Sequence, residues 1–314
     1  MNGRGGFTLI EVLVVMAILS LIVLALMTVF TNTQKAFRAS VTQTDILENG
    51  RATMELIAAD LRSMSPSEGL SEGNTNVLNA NGMAYLNYPI NFFVTNNSAY
   101  YQPLIQPLIG SDTGAFHTNL LEYFFILSRQ NMTWTGIGYI VNTYTVTGNS
   151  LYPLYRFSAQ TNIQNSPSTL FNAFQNDVIQ DEWTNMSHLM DGVVGLTVRA
   201  YDTNGIWLTN GYAPYYTGTS NTLRNTWFTP PYPNPGNEVG FIFYSNALPA
   251  SVQIEMDTLE DRTLQRAESL GQPAPAQPYY NVTAQWAYLT NHVNAVHVFR
   301  QSITIPQMDP SAYQ

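Results

Sequence analysis

The chain has 314 residues, a formal charge of −9 and only 11% charged residues. An acidic surface argues against nucleic acid as a partner, since phosphate binding needs clustered Lys and Arg, and the absence of Cys excludes disulfides and thiolate chemistry. Polarity is supplied instead by Asn, Thr, Ser, Gln and Tyr, which suits strand-rich surfaces more than helical ones.

Residues 1–6 are short, polar and glycine-rich, with one cation, Arg4. Residues 7–30 form an apolar run whose only charge is Glu11 and whose other polar residues are Thr8, Ser20 and Thr28. A helix over this run is roughly 36 Å long, enough to cross a bilayer with some tilt. It contains no Pro or Gly, so its backbone can bond internally throughout, as lipid requires. An ordinary secretory signal places small residues after its apolar region; here Gly5 and Gly6 come before it. Cleavage at that point leaves the helix on the mature chain, beginning at Phe7. Glu11 is the oddity, because an ionisable group inside hydrocarbon is expensive unless paired and so points to function. Arg4 precedes the run and Lys35 and Arg38 follow it, so flanking cations do not orient it.

The helix is expected to continue over 31–64. Ile46, Gly50, Met54, Ile57, Leu61 and Met64 recur at three- and four-residue steps and define one apolar face. Asp45, Glu48, Arg51, Glu55, Asp60 and Arg62 fall mostly elsewhere, with Arg51 at pairing distance from Glu48 and Glu55. Ser65-Pro66 is a stop signal. The whole helix would reach from Phe7 to about Met64, roughly 85 Å, and its apolar exported half should pack on a sheet.

Residues 65–81 read as loop. Short aromatic and β-branched runs at 83–94, 120–129, 137–146 and 151–157 read as strands, the last two joined by the turn residues 147–150. Residues 100–117 are punctuated by Pro and Gly and read as an excursion, 158–168 as polar loop, and 169–179 as a short helix or an irregular segment. A strand over 189–202 turns at Asn204-Gly205 towards Trp207; further strands cover 248–255 and 296–305. Residues 209–238 form a Pro-, Tyr-, Asn- and Thr-rich insertion. Residues 257–271 read as an inserted helix carrying Leu259, Arg262, Leu264, Arg266 and Glu268, followed by the linker Pro273-Ala274-Pro275.

The string Gly6-Phe7-Thr8-Leu9-Ile10-Glu11 ahead of a long apolar helix resembles the type IV pilin and pseudopilin signal. The resemblance implies that a membrane peptidase cuts between Gly6 and Phe7 and methylates the new Phe7 amine. It also implies that the N-terminus faces the cytoplasm with the rest exported, and that Glu11 meets the Phe7 amine of a neighbouring subunit during assembly. Asp191-Gly192-Val193, Tyr201-Asp202 and Trp207, then Leu248-Pro249-Ala250-Ser251-Val252, then the strand ending at Pro306 form a second resemblance. That order is similar to the J-type minor pseudopilins of type II secretion and to PilW-like minor pilins. The 137–157 hairpin fits as well, with Arg156 on its returning strand. The insertion at 209–238 and the helix at 257–271 depart from that pattern and leave room for an adhesive tip.

Other constellations point less clearly to chemistry. His117, His188, His292 and His297 form no His-Glu-x-x-His pair, and a spacing of five puts His292 and His297 on opposite faces of a strand. Asp202-Thr203-Asn204-Gly205 reads as a hairpin turn or a fragment of a calcium loop. Asp177, Asp181, Glu182 and Asp191 read as a solvated acidic loop or oxygen ligands. Asp60 and Glu55 read as charge pairing on the stem helix. There is no Gly-x-Ser-x-Gly, phosphate loop or dinucleotide fingerprint. Tyr212, Tyr215, Tyr216, Trp227, Phe228 and Tyr232 either pack the insertion or form a contact patch for sugar or protein.

The expectation is an α+β protein of pilin-like fold, its N-terminal helix packed on antiparallel sheet. Residues 1–6 form the leader, 7–30 the transmembrane helix, 31–64 the amphipathic stem and 65–314 the exported head. It would be an assembly subunit of the inner membrane, not an enzyme, with no cofactor or metal. Its partners would be other pseudopilins or minor pilins, the prepilin peptidase, an inner-membrane assembly platform and lipid. A ligand-binding minor pilin and a membrane-anchored exported enzyme are the alternatives.

Overall fold

A computed structural model describes residues 8–67, 77–78, 84–85, 89–96, 104–107, 116–142, 151–208, 226–228, 240–271, 288–289, 291–292 and 296–309. They fall into two units, residues 1–47 and 48–314. Gly6, Phe7, the 147–150 turn, the linker and most of the 209–238 insertion lie outside the described residues, as do the side chains of His117, Trp227 and Phe228.

Helix α1 spans Leu9–Arg62. Within the first unit its segment Leu9–Phe37 is long and apolar enough to cross a membrane, and its side chains are exposed. The hydroxyls in this segment are satisfied internally. Ser20 Oγ donates to the Met16 carbonyl at 2.8 Å and Thr28 Oγ1 to that of Leu24 at 2.9 Å. Such back-bonding lets polar side chains sit in lipid without an outside partner.

In the second unit, the part of α1 after Leu47 buries Gly50, Met54, Ile57, Ala58 and Leu61, with Met64 just beyond the helix end. This is the face that the three- and four-residue spacing marks out. Fourteen strands are described: β1 (Val77–Leu78), β2 (Ala84–Tyr85), β3 (Ile90–Asn96), β4 (Leu104–Pro107), β5 (Phe116–Asn119), β6 (Glu122–Gln130), β7 (Thr133–Val141), β8 (Leu154–Asn162), β9 (Met186–Met190), β10 (Val193–Tyr201), β11 (Thr226–Phe228), β12 (Phe241–Tyr244), β13 (Ser251–Leu259) and β14 (Val296–Thr304). The helices after α1 are α2 (Ser168–Ile179) and α3 (Asp261–Gly271). A seven-stranded sheet has the order β11-β12-β3-β6-β7-β8-β9, and a three-stranded sheet the order β10-β13-β14; β1-β2 and β4-β5 make two small ladders. Every ladder is antiparallel. The result is an α+β protein, a long apolar N-terminal helix followed by antiparallel sheets, consistent with a pilin-like fold.

The large sheet is covered on both sides. On one side Phe92, Phe124, Ile126 and Tyr139 join Ile57 and Leu61 of α1 and Leu196, Val198, Ile254 and Met256 of the small sheet in one core. On the other, Phe93, Phe125, Leu127, Trp134 and Phe157 pack with Phe171 and Phe174 of α2. Double burial explains why β6 reads as an unbroken apolar run, Tyr-Phe-Phe-Ile-Leu, with no strand-like alternation. Gly136 and Gly138 let α2 approach the β7 backbone. A Cβ on Gly138 would overlap the Phe174 ring, which is fully buried and cannot swing away. Gly138→Ala should therefore destabilise the head by about 1–3 kcal/mol through overpacking. In urea titrations the midpoint should fall with an unchanged slope, whereas an unchanged or raised midpoint would show that α2 gives way easily.

The two sheets meet at the start of β6. Leu121 and Leu196 form a parallel bridge, and the Leu196 N–H donates to the Leu120 carbonyl at 2.8 Å. Buried Glu122 extends the contact, accepting from the Val198 N–H at 2.6 Å.

Several expected boundaries shift. The 189–202 strand is two strands in different sheets, broken at Asp191-Gly192, where Gly192 has φ +77°, a conformation suited to Gly. Residues 158–162, expected as loop, extend β8 and pair with β7 as far as Asn162↔Thr133. They are polar because alternate positions at this end are exposed. The strand over 83–94 is split into β2 and β3, with Pro89 before β3. Residues 257–259 belong to β13, and the inserted helix starts at Asp261. The excursion at 100–117 holds β4 and the start of β5. The hairpin between β7 and β8 is as expected, and residues 169–179, read as a short helix or an irregular segment, are helix from Ser168.

Candidate functional site

Two sets of residues combine unusual polarity with defined geometry. The first is at the N-terminus of α1. Thr8 stands immediately before the first helical residue, with Glu11 three positions on. Thr8 N–H and Thr8 Oγ1 both donate to Glu11 Oε2 at 3.0 Å, and the Glu11 N–H lies 3.4 Å from Thr8 Oγ1. This reciprocal arrangement is a capping box. It satisfies helix-end donors that lipid would otherwise leave bare, and it neutralises part of the desolvation cost of the carboxylate. Within the single chain, Glu11 is held by its own first turn.

The second is on the sheet-facing side of α1. Asp60 accepts from Arg156 Nε at 2.8 Å and from Arg156 Nη2 at 3.1 Å, and also from the Tyr139 hydroxyl. The ion pair is mostly enclosed, with side-chain exposures of 21% for Arg156 and 13% for Asp60. Burial pushes the Tyr139 phenol well above its ordinary range, and the Asp60 charge pushes it the same way, so Tyr139 is a fixed donor. Burial works against the Arg156 charge, but hydrogen bonds and charge from Asp60 outweigh it and hold the guanidinium above its ordinary value. Asp60 is charge-paired as expected, but its cation is Arg156 on β8 and not a residue of the stem helix. Asp60 lies one position from the buried row Ile57-Leu61-Met64, so it reaches the sheet, whereas Glu55 is exposed. A carboxylate this close to an apolar face was the available signal, and Tyr139, which sequence reading did not single out, completes its coordination.

Asp257 on β13 is buried, and Glu255 lies two positions away, bonded to Arg300 Nε at 2.8 Å. Desolvation, reinforced by the Glu255 charge and opposed by Arg300, raises its carboxyl from 3.8 to about 6. The folded state then binds the proton more tightly than the unfolded chain. The favourable contribution is complete below about pH 3.8 and is lost as pH rises through about 6. Asp257→Asn should melt like the native chain at pH 4 and higher than it at pH 7.5. A difference of the same size at both pH values would contradict this linkage.

Several of the remaining candidates have local partners. His188 Nε2 lies 2.9 Å from Asp191 Oδ1, and His292 Nδ1 lies 2.8 Å from the Tyr288 carbonyl. Asn185 Nδ2 donates to Asp177 and Glu182, both at 3.2 Å. Among the described residues no group of three His, Asp or Glu is placed to hold a metal ion. Asp202 closes a hairpin turn: its Oδ1 accepts from the Asn204 and Ile206 N–H groups at 2.8 and 2.7 Å, and Tyr201 bridges Trp207. This turn geometry is the reading favoured over a calcium-loop fragment.

The fold thus defines a chain with a membrane-anchoring, single-pass type of N-terminal helix ahead of a β-rich head. Its first 27 residues match the family model for the prokaryotic N-terminal methylation motif, which marks type IV pilin-like substrates of the prepilin peptidase. No curated protein and no solved structure matches the chain significantly.

Proposed function

We propose that this protein is a minor pseudopilin, a structural subunit that helps to initiate or cap a type II secretion pseudopilus. The observation that carries the reading is the methylation motif over residues 1–27, leading into a helix that bonds Glu11 within its own first turn. The peptidase would cleave between Gly6 and Phe7 and methylate Phe7. The helix would keep the subunit in the inner membrane, N-terminus cytoplasmic and head periplasmic, until an assembly platform extracts it. In the filament Glu11 would exchange Thr8 for the Phe7 amine of a neighbour, setting axial register. The protein would act by assembly and not by catalysis. The subclass rests on the similarity of the Asp191–Trp207 and Leu248–Val252 segments to J-type subunits. A minor pilin with a ligand-binding head is the second reading, motivated by the insertion at 209–238.

Coexpression with a prepilin peptidase should yield a chain lacking residues 1–6 and carrying one extra methyl group on Phe7. Mass spectrometry of the intact protein reads this directly, and Gly6→Leu should leave the leader in place. A mature chain still beginning at Met1 would reject the proposal. Deletion in the source cell then separates the two readings: lost protein export with normal pili supports the pseudopilin, and the reverse supports the minor pilin.

A further inference from the structure

Strand β14 forms one edge of the three-stranded sheet. Its ladder to β13 runs from Ser251↔Thr304 to Leu259↔Val296 without a register shift. The ends of the ladder show which backbone groups it uses. The Ile305 N–H donates to the Ala250 carbonyl at 3.0 Å, and the Leu259 N–H turns the other way, to the Gly192 carbonyl at 2.8 Å. Bonded pairs alternate along an antiparallel ladder, so His297, Phe299, Gln301 and Ile303 bond to β13. Val296, Val298, Arg300, Ser302 and Thr304 turn their N–H and C=O groups to the open edge, where no described residue bonds them.

Edges are ordinarily blunted by shortness, bulges or Pro. The other edges of the two larger sheets are. Strand β11 has 3 residues, β9 has 5 with a register shift against β8, and β10 is bonded at Leu196 to Leu120. Strand β14 has 9 residues and no Gly, Pro or bulge. Side chains add a chemical preference. Val298 is 58% exposed, and the Arg300 side chain 55%. Arg300 directs Nε and Nη2 to Glu255 Oε2, at 2.8 and 2.5 Å, which leaves Nη1 for a further acceptor. A strand added at this edge would lie about 5 Å from β14 and about 10 Å from Glu255 and Asp257 on β13, so the nearest charge it meets is the cation. A second copy of β14 offers no carboxylate, and pairing centred on Arg300 would set like charges opposite each other.

We propose that β14 takes up an extended segment of a different exported protein as an added antiparallel strand, with a carboxylate opposite Arg300 and an apolar side chain opposite Val298. The edge is distinct from the processing and assembly proposed above, so it stands or falls separately. The probe is a synthetic peptide as long as β14, Thr throughout except for Glu at its centre and Val two positions later, which antiparallel pairing sets opposite Arg300 and Val298. It should bind the full chain in detergent micelles with a dissociation constant on the order of 1 mM. At about tenfold that concentration roughly one chain in ten is free, so the amides of Val298, Arg300 and Ser302 should exchange about tenfold more slowly. A peptide with Lys in place of Glu should bind about fivefold or more weakly, and Arg300→Gln should erase that preference. Ser302→Pro removes an outward N–H and no ladder bond, so it should melt with the native chain and lose the peptide. Unchanged exchange at Arg300 and Ser302, equal affinity for the two peptides, undiminished binding by Ser302→Pro, or slow exchange of these amides in the chain alone would each overturn the proposal.

Discussion

Replacing Glu11 with Val should abolish incorporation into filaments while leaving the chain firmly in the membrane. A carboxylate in hydrocarbon is tolerated only with partners. In the isolated subunit those partners are the Thr8 N–H and hydroxyl, each 3.0 Å from Oε2. Val removes the desolvation cost and has no polar group, so membrane retention should be undiminished. What disappears is the acceptor proposed for a neighbour's Phe7 amine. Loss of one member of a desolvated charge pair costs roughly 3–5 kcal/mol, a hundredfold or more in the equilibrium. Shearing and fractionation, followed by immunoblotting, would show the variant in membranes and missing from filaments. Thr8→Val is the informative companion. It keeps the carboxylate and the backbone donor and loses the hydroxyl, so assembly should fall only modestly. Wild-type filament content in the Glu11 variant would remove the assigned role.

Asp60→Ala should strongly destabilise the head. It leaves a mostly enclosed guanidinium and a buried phenol facing each other without the carboxylate that both address. Breaking such a pair costs about 3 kcal/mol, which in a domain of this size lowers the melting temperature by roughly 6–12 °C. Asp60→Asn preserves shape and removes charge, and should cost less. The coupling can be isolated in a double-mutant cycle: Asp60→Ala and Arg156→Ala together should destabilise by less than the sum of the two. Hydrogen exchange should quicken in the part of α1 after Leu47, since this triad ties that segment to β7 and β8. Additive losses, or an unchanged melting point, would mean that apolar burial alone holds the helix.

The N-terminal half of the story was legible because it depends on local chemistry. The string Gly6-Phe7-Thr8-Leu9-Ile10-Glu11 is contiguous in the chain, and the apolar segment needs only length and composition; the capping box between Thr8 and Glu11 emerged only with the helix start in place. The buried row Met54-Ile57-Leu61-Met64 followed from helical periodicity. The sheets were legible in part. Strands β3 and β6, buried on both faces, lose the alternation that distinguishes strand from helix, yet their aromatic and β-branched runs mark them within 83–94 and 120–129. Short β12, Phe241–Tyr244, was hidden because four apolar residues are too few to show a period. The polar far end of β8 resembled a loop because nothing in its sequence reveals that β7 lies beside it.

By itself the sequence determined the processing signal, the anchoring helix, the apolar face of the stem and the α+β class, all of which rest on interactions between residues near in the chain. Only the tertiary structure decided which partner Asp60 takes, that α2 closes the second face of the large sheet over Gly136 and Gly138, and that Glu122 joins the two sheets. Those contacts span from about 35 to almost 100 residues. They form because a buried charge or an apolar face must find its complement somewhere, and sequence spacing does not say where.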